Sequence, residues 1–138
     1  MKIKLNCVLL IDDDESTNFV NQLVIEDGGY AEKIVTVESG QEALDYIASA
    51  GARSDLQPDL IFLDINMPAM NGWEFLDRYK LLPDAQRRAH VVIMLTASLN
   101  PDDRKRADEI CNVDDFICKP LTSESLQNII RAHFPDRL

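Results

Sequence analysis

Four positions in this sequence place a chemically capable side chain directly behind a short apolar run. Asp12-Asp13-Asp14 follows Cys7 to Ile11, Asp64 follows Leu60 to Leu63, Thr96 follows Val91 to Leu95, and Lys119 follows Phe116 to Cys118, with Pro120 fixing where it leaves. Carboxylates from two such places, gathered within about 4 Å, repel by roughly 4 kcal/mol per pair at an effective dielectric of about 20. Either one carboxyl keeps its proton or a cation enters the group. A pocket of carboxylate oxygens suits a hard ion, Mg²⁺ or alternatively Mn²⁺, and no histidine or cysteine is placed to recruit a softer metal. A cation, the Lys119 ammonium and the Thr96 hydroxyl around one carboxylate would form a cradle for a phosphoryl group, each meeting a phosphate oxygen.

This chemistry requires the apolar runs to be neighbouring strands. Cys7 to Ile11, Lys33 to Val37, Leu60 to Leu63, Val91 to Leu95 and Phe116 to Cys118 are short and rich in β-branched or aromatic residues. Most lack polar alternation, as strands buried on both faces do. Amphipathic stretches alternate with them. Phe19, Val20, Leu23 and Val24 recur at helical spacing before the Gly28-Gly29 stop; Ala43, Leu44, Ile47 and Ala48 mark a second helix; Trp73, Leu76, Tyr79 and Lys80 mark a third that ends before Pro83. Asn100-Pro101-Asp102-Asp103 opens a fourth with a cap, a proline at the first helical position and acids in the first turn. A fifth begins near Thr122 and buries Leu126, Ile129, Ile130 and Phe134. The order predicts an α/β fold, (βα)5, with a doubly wound five-stranded parallel sheet and helices on both faces. Ligands meet such a sheet at the carboxyl ends of its strands, where the strand order switches.

Taken singly, each feature has a plainer reading. The acid run fits a solvated turn opening a helix, Thr96 an ordinary strand-end residue, and Lys119-Pro120 a loop. Asp64 is harder to set aside, because an acid directly after a buried strand must be exposed or paired. His90 and His133 read as solvent or packing residues.

With 138 residues, 46% hydrophobic and 28% charged, the chain has the make-up of one globular domain and excludes disorder and fibre. A formal charge of −10 disfavours nucleic acid and anionic lipid as direct partners. No apolar run approaches the ~20 residues that span a bilayer. Five apolar residues followed by three aspartates cannot serve as a signal peptide, so a cytoplasmic location is expected. Cys7, Cys111 and Cys118 are odd in number and lack CxxC spacing, which makes them core thiols.

The segments IDDDE, FLDINMPAMNG, LTAS and CKP, in this order and at these strand ends, resemble the receiver domain of two-component response regulators over essentially the whole chain. The resemblance implies a flavodoxin-like, stand-alone receiver over residues 1–138 with no output domain. Carried over by motif position, Asp64 is the phosphoacceptor. Asp12, Asp13 and Asp64 hold Mg²⁺ with the backbone carbonyl of Asn66, Asp12 acting largely through water. Thr96 is the switch hydroxyl, Lys119 the partner of the phosphoryl group, and Phe116 the aromatic that changes rotamer on activation. Asn66, Ala97 and Ser98 fall where the family tunes the lifetime of the acyl phosphate.

The implied function is a phosphoacceptor switch in a bacterial two-component system or phosphorelay. It would be a regulatory protein with slow autodephosphorylation and not an enzyme. The expected donor is a sensor histidine kinase or a histidine phosphotransfer protein. A downstream partner would read the face of the predicted fourth helix, fifth strand and fifth helix, and the fourth and fifth helices offer a face for a homodimer. The chain departs from the family at Asn112-Val113, usually Gly-Ala; at Phe116, often Tyr; at Leu121, often Phe; and in the long connection 83–90. A phosphatase using Asp12-x-Asp14 is a second reading, which leaves Asp64 unexplained. An unphosphorylated interaction module of the same fold is a third. A flavin carrier is disfavoured by three carboxylates where the cofactor phosphate would sit.

Overall fold

The computed structural model describes residues 5–50, 57–65, 67–82, 91–96, 105, 115–118 and 121–134; within the strands 91–96 and 115–118, side chains are described at Ile93, Leu95 and Ile117. Its strands are β1 (Val8–Ile11), β2 (Ile34–Val37), β3 (Leu60–Asp64), β4 (Val91–Thr96) and β5 (Asp115–Cys118). They form one parallel sheet in the order β2-β1-β3-β4-β5. The order reverses at β1, so β1 and β3 flank the switch point. The strand boundaries differ from the sequence expectation by a residue: Cys7 and Lys33 lie just outside, while Asp64, Thr96 and Asp115 complete their ladders.

The described helices are α1 (Glu15–Gly28), α2 (Gly40–Ala50), α3 (Gly72–Tyr79) and α4 (Ser123–His133). The last is the helix predicted near Thr122, whose side chain accepts from the Ser125 N–H as N-cap. Of the helix predicted from Asn100, Lys105 alone is described, and it is helical and exposed; the 83–90 connection and the Asn112-Val113 turn lie outside the described residues.

Alternation along the strands divides the core into two layers. Leu9, Ile11, Ile61 and Leu63 point to the side covered by Ala43 and Ile47 of α2 and Trp73, Phe75, Leu76 and Tyr79 of α3. Val8, Leu10, Leu60 and Phe62 point to the other, with Ile25 of α1 and Leu126, Ile129 and Ile130 of α4. Helices therefore pack on both faces, as the alternation predicts.

Helix α1 is present but turned differently from what its apolar spacing suggests. Phe19, Val20 and Leu23 are exposed, while Asn18, Asn21 and Ile25 face inward. The cause is a pair of hydrogen bonds: the buried Asn18 amide donates to the carbonyls of Asp12, 2.9 Å, and Val37, 3.1 Å. It satisfies backbone acceptors at the ends of β1 and β2, and this fixes the helix rotation. Gly29 ends α1 in the left-handed conformation, φ 68°, with its N–H bonded to Ile25 and Glu26 carbonyls.

Candidate functional site

The register puts the acids together. Ile11 pairs with Leu63 across β1 and β3, so the next residues, Asp12 and Asp64, leave neighbouring strands side by side at the carboxyl edge. Ligand oxygens of Asp12, Asp13 and Asp64 all lie within 4.8 Å of one another. Asp12 and Asp64 are buried, 2% and 4% exposed, and Asp13 opens to solvent. At that spacing two charged carboxylates repel by about 3.5 kcal/mol at an effective dielectric of about 20. Such crowding on two buried groups favours positive charge beside them.

The local backbone holds the cluster. The Asp14 N–H donates to Asp12 Oδ1, 2.9 Å. Asp14 itself caps α1, its carboxylate accepting from the Ser16 N–H, 2.9 Å, and the Thr17 hydroxyl, 3.0 Å. Of the three acids in the run, two belong to the cluster and the third starts the helix. The phosphatase pairing of Asp12 with Asp14 is thereby weakened, since Asp14 is engaged as a cap.

On the other side of β3, Asp64 pairs with Leu95 of β4, so Thr96 is one step further along the adjacent strand. Thr96 in turn pairs with Cys118, the residue before Lys119. The backbone brings the Thr96 position to the same edge as Asp64. Phe116 of β5 is placed by its backbone alone, opposite Met94 of β4. Asn66, Ala97, Ser98 and Lys119 lie outside the described residues. Cys7 is buried as expected, and burial pushes its thiol above the ordinary range. Cys111 and the Cys118 side chain are not among the described groups.

Sequence reasoning missed Asn18, whose amide ties the Asp12 carbonyl to β2; helical periodicity gives no sign of it. It also missed Ala69 in the loop after Asp64, which takes a positive φ of 66° without being glycine or asparagine. The donor set of the cluster, three carboxylates with two buried, fits a hard divalent cation such as Mg²⁺.

The sequence matches the response regulator receiver domain family over residues 8–131. The chain belongs to that family. This receiver is similar to a probable methanogenesis regulatory protein of Methanothrix harundinacea, 30% identical over 125 residues, which are 89% of this chain and 77% of that protein. It is also similar to the transcriptional regulatory protein CpxR of Escherichia coli, 33% identical over 128 residues, 93% of this chain but 49% of the regulator. The receiver thus spans about half the length of that second relative. A crystal structure of a two-component response regulator from Cytophaga hutchinsonii superposes with a TM-score of 0.86 at 34% identity, covering 96% of the receiver and 99% of that chain. The flavodoxin-like receiver fold expected from the strand-end motifs is the fold observed. Among the described residues, no helix is long and apolar enough to cross a membrane.

Proposed function

We propose that this receiver is a phosphoacceptor switch in which Asp64 takes a phosphoryl group from a phosphohistidine donor, a sensor histidine kinase or a histidine phosphotransfer protein. The observation that carries this reading is the gathering of Asp12, Asp13 and Asp64 within 4.8 Å at the switch point of the sheet. Asp12, Asp13 and Asp64, with the Asn66 carbonyl, would hold Mg²⁺ or Mn²⁺, and the ion would neutralise the carboxylates and the incoming phosphoryl oxygens. One Asp64 carboxylate oxygen attacks phosphorus in line as the phosphorus–nitrogen bond breaks, and the imidazole leaves with that electron pair. Phosphoryl transfer asks mainly for positioning and charge neutralisation, so the site needs no general base. Lys119 pairs with the bound phosphoryl group and Thr96 donates its hydroxyl to it. Phe116 fills the space that Thr96 vacates, which changes the face read by a downstream protein. Ala97, Ser98 and Asn66 set the acyl-phosphate lifetime.

On this reading the receiver is a regulatory acceptor in the cytoplasm, with slow autodephosphorylation and no separate substrate to turn over. It acts as a terminal switch or a phosphorelay intermediate through protein partners, without direct nucleic-acid contact, and pairing of two copies belongs to the same face. Intact mass after incubation with acetyl phosphate tests it. The wild type should gain one hydroxylamine-labile phosphoryl group only with Mg²⁺, and Asp64→Ala should gain none; equal labelling of that variant would overturn the assignment.

A further inference from the structure

The loop after Asp64 is strained within itself and pinned from outside. Between β3 and α3 a hydrogen bond from the Gly72 N–H to the Ile65 carbonyl, 2.8 Å, closes the loop. Within the loop the Met70 N–H donates to the Pro68 carbonyl, 2.7 Å, across Ala69, whose φ is 66°. A three-residue turn of that hand is rare and strained for any residue carrying a Cβ. Ala69 is exposed, so packing of its own side chain does not compensate. A strained conformation persists where its surroundings over-determine it.

The surroundings are identifiable. Ile65 and Met67 are buried, and Asn71 and Glu74 form a reciprocal capping box at the start of α3. Between these anchors Met70 reaches across to α2. A Cβ built on Gly40 would stand 2.6 Å from the Met70 Sδ, 3.2 Å from its Cγ and 3.5 Å from its Cβ. The Met70 side chain fills a notch that glycine alone leaves open at the first residue of α2. Gly40 lies three residues after Val37, which pairs with Ile11 next to Asp12. The contact therefore joins the Asp64 loop to the β1–β2 side of the site, which carries Asp12 and Asp13.

We propose that Met70, seated in the Gly40 notch, is a positioning residue for the acceptor site. It holds the turn at residues 68–70 in its strained form so that the Asp64 carboxylate stays aligned with Asp12 and Asp13. The proposal rests on the reading of these acids as one cation and phosphoryl site.

The experiment compares the full chain with Gly40→Ala, Met70→Ala, Met70→Leu and the Gly40→Ala/Met70→Ala double variant. Mg²⁺ alone is titrated against the amide resonances of Asp13 and Ile65, beside acetyl phosphate uptake and thermal melting. Gly40→Ala and Met70→Ala should each weaken Mg²⁺ binding about tenfold, the scale seen when the groups that orient metal ligands are removed. The double variant should be no weaker than Met70→Ala, because the added methyl then meets only the Cβ of residue 70 at an ordinary van der Waals distance, 3.5 Å, and Met70→Leu should retain near-native affinity. Mg²⁺ affinity unchanged in both single variants, even with a lowered melting point, would show mere packing and overturn the proposal. A wild type that binds Mg²⁺ but gains no phosphoryl group would overturn the acceptor reading, while the Mg²⁺ affinities would still decide the role of Met70.

Discussion

Strand β3 is bracketed by two buried aspartates that do opposite work. Asp59, just before the strand, accepts from the Asn6 N–H at 2.7 Å, and its own N–H donates to the Cys7 carbonyl at 2.9 Å. Around it Leu5 exchanges backbone hydrogen bonds with Tyr30 and Glu32, and the Cys7 thiol meets the Tyr46 hydroxyl at 3.7 Å. This amino edge binds the starts of β1, β2 and β3 together. Asp64, at the far end of the same strand, sits among the Asp12 and Asp13 carboxylates. At the amino edge a single buried carboxylate serves a backbone donor; at the carboxyl edge Asp12 also takes a backbone N–H, yet stands among two further carboxylates. Burial of an aspartate is thus no sign of its role, whereas the partners it faces are.

Variants at the two edges sharpen the contrast. Asp59→Ala leaves the Asn6 N–H without its carboxylate acceptor and should cost about 1–3 kcal/mol in urea unfolding. Its Mg²⁺ affinity and phosphoryl uptake should match the wild type; loss of either would mean that the edges are not separable. Asp14→Ala removes the α1 cap and should cost about 1 kcal/mol, with uptake at Asp64 retained, as expected of an acid outside the cluster. The smallest effect is at Cys7. Burial raises its pKa, so the thiol stays neutral at pH 7, and the stability tied to that shift is present at neutral pH and lost as pH rises past the ordinary thiol range. Alkylation of Cys7, followed by peptide mass, should be much slower in the folded chain than in urea.

The carboxyl edge was legible in the sequence because its residues break a pattern: an acid or hydroxyl directly after a run of buried apolar residues. The doubly wound sheet was legible too, since five short runs alternate with helical spacing. The rotation of α1 was not. Hydropathy favours burying Phe19, Val20 and Leu23, but the Asn18 amide must reach two strand-end carbonyls, and that tertiary requirement prevails. Asp59 drew no notice because its partner, an N–H 53 residues away in sequence, is specified only by the sheet. The positive φ of Ala69 likewise has no local signature; the contact proposed to hold it, Met70 in the Gly40 notch, joins residues 30 positions apart in sequence.

On the proposed reading, the acids gathered at the carboxyl edge are arranged for a cation and a phosphoryl group, with Asp64 the pivotal one. Thermal melting of the wild type and Asp64→Asn, each with and without Mg²⁺, tests it most directly. Asp64→Asn, which removes one of three crowded charges, should lose less stability without Mg²⁺ than Asp59→Ala does. The wild type should gain about 1.4 kcal/mol at Mg²⁺ ten times its Kd, and the variant should gain little. A variant that loses stability without Mg²⁺ as Asp59→Ala does, and is still stabilised by Mg²⁺ as strongly as the wild type, would contradict the account.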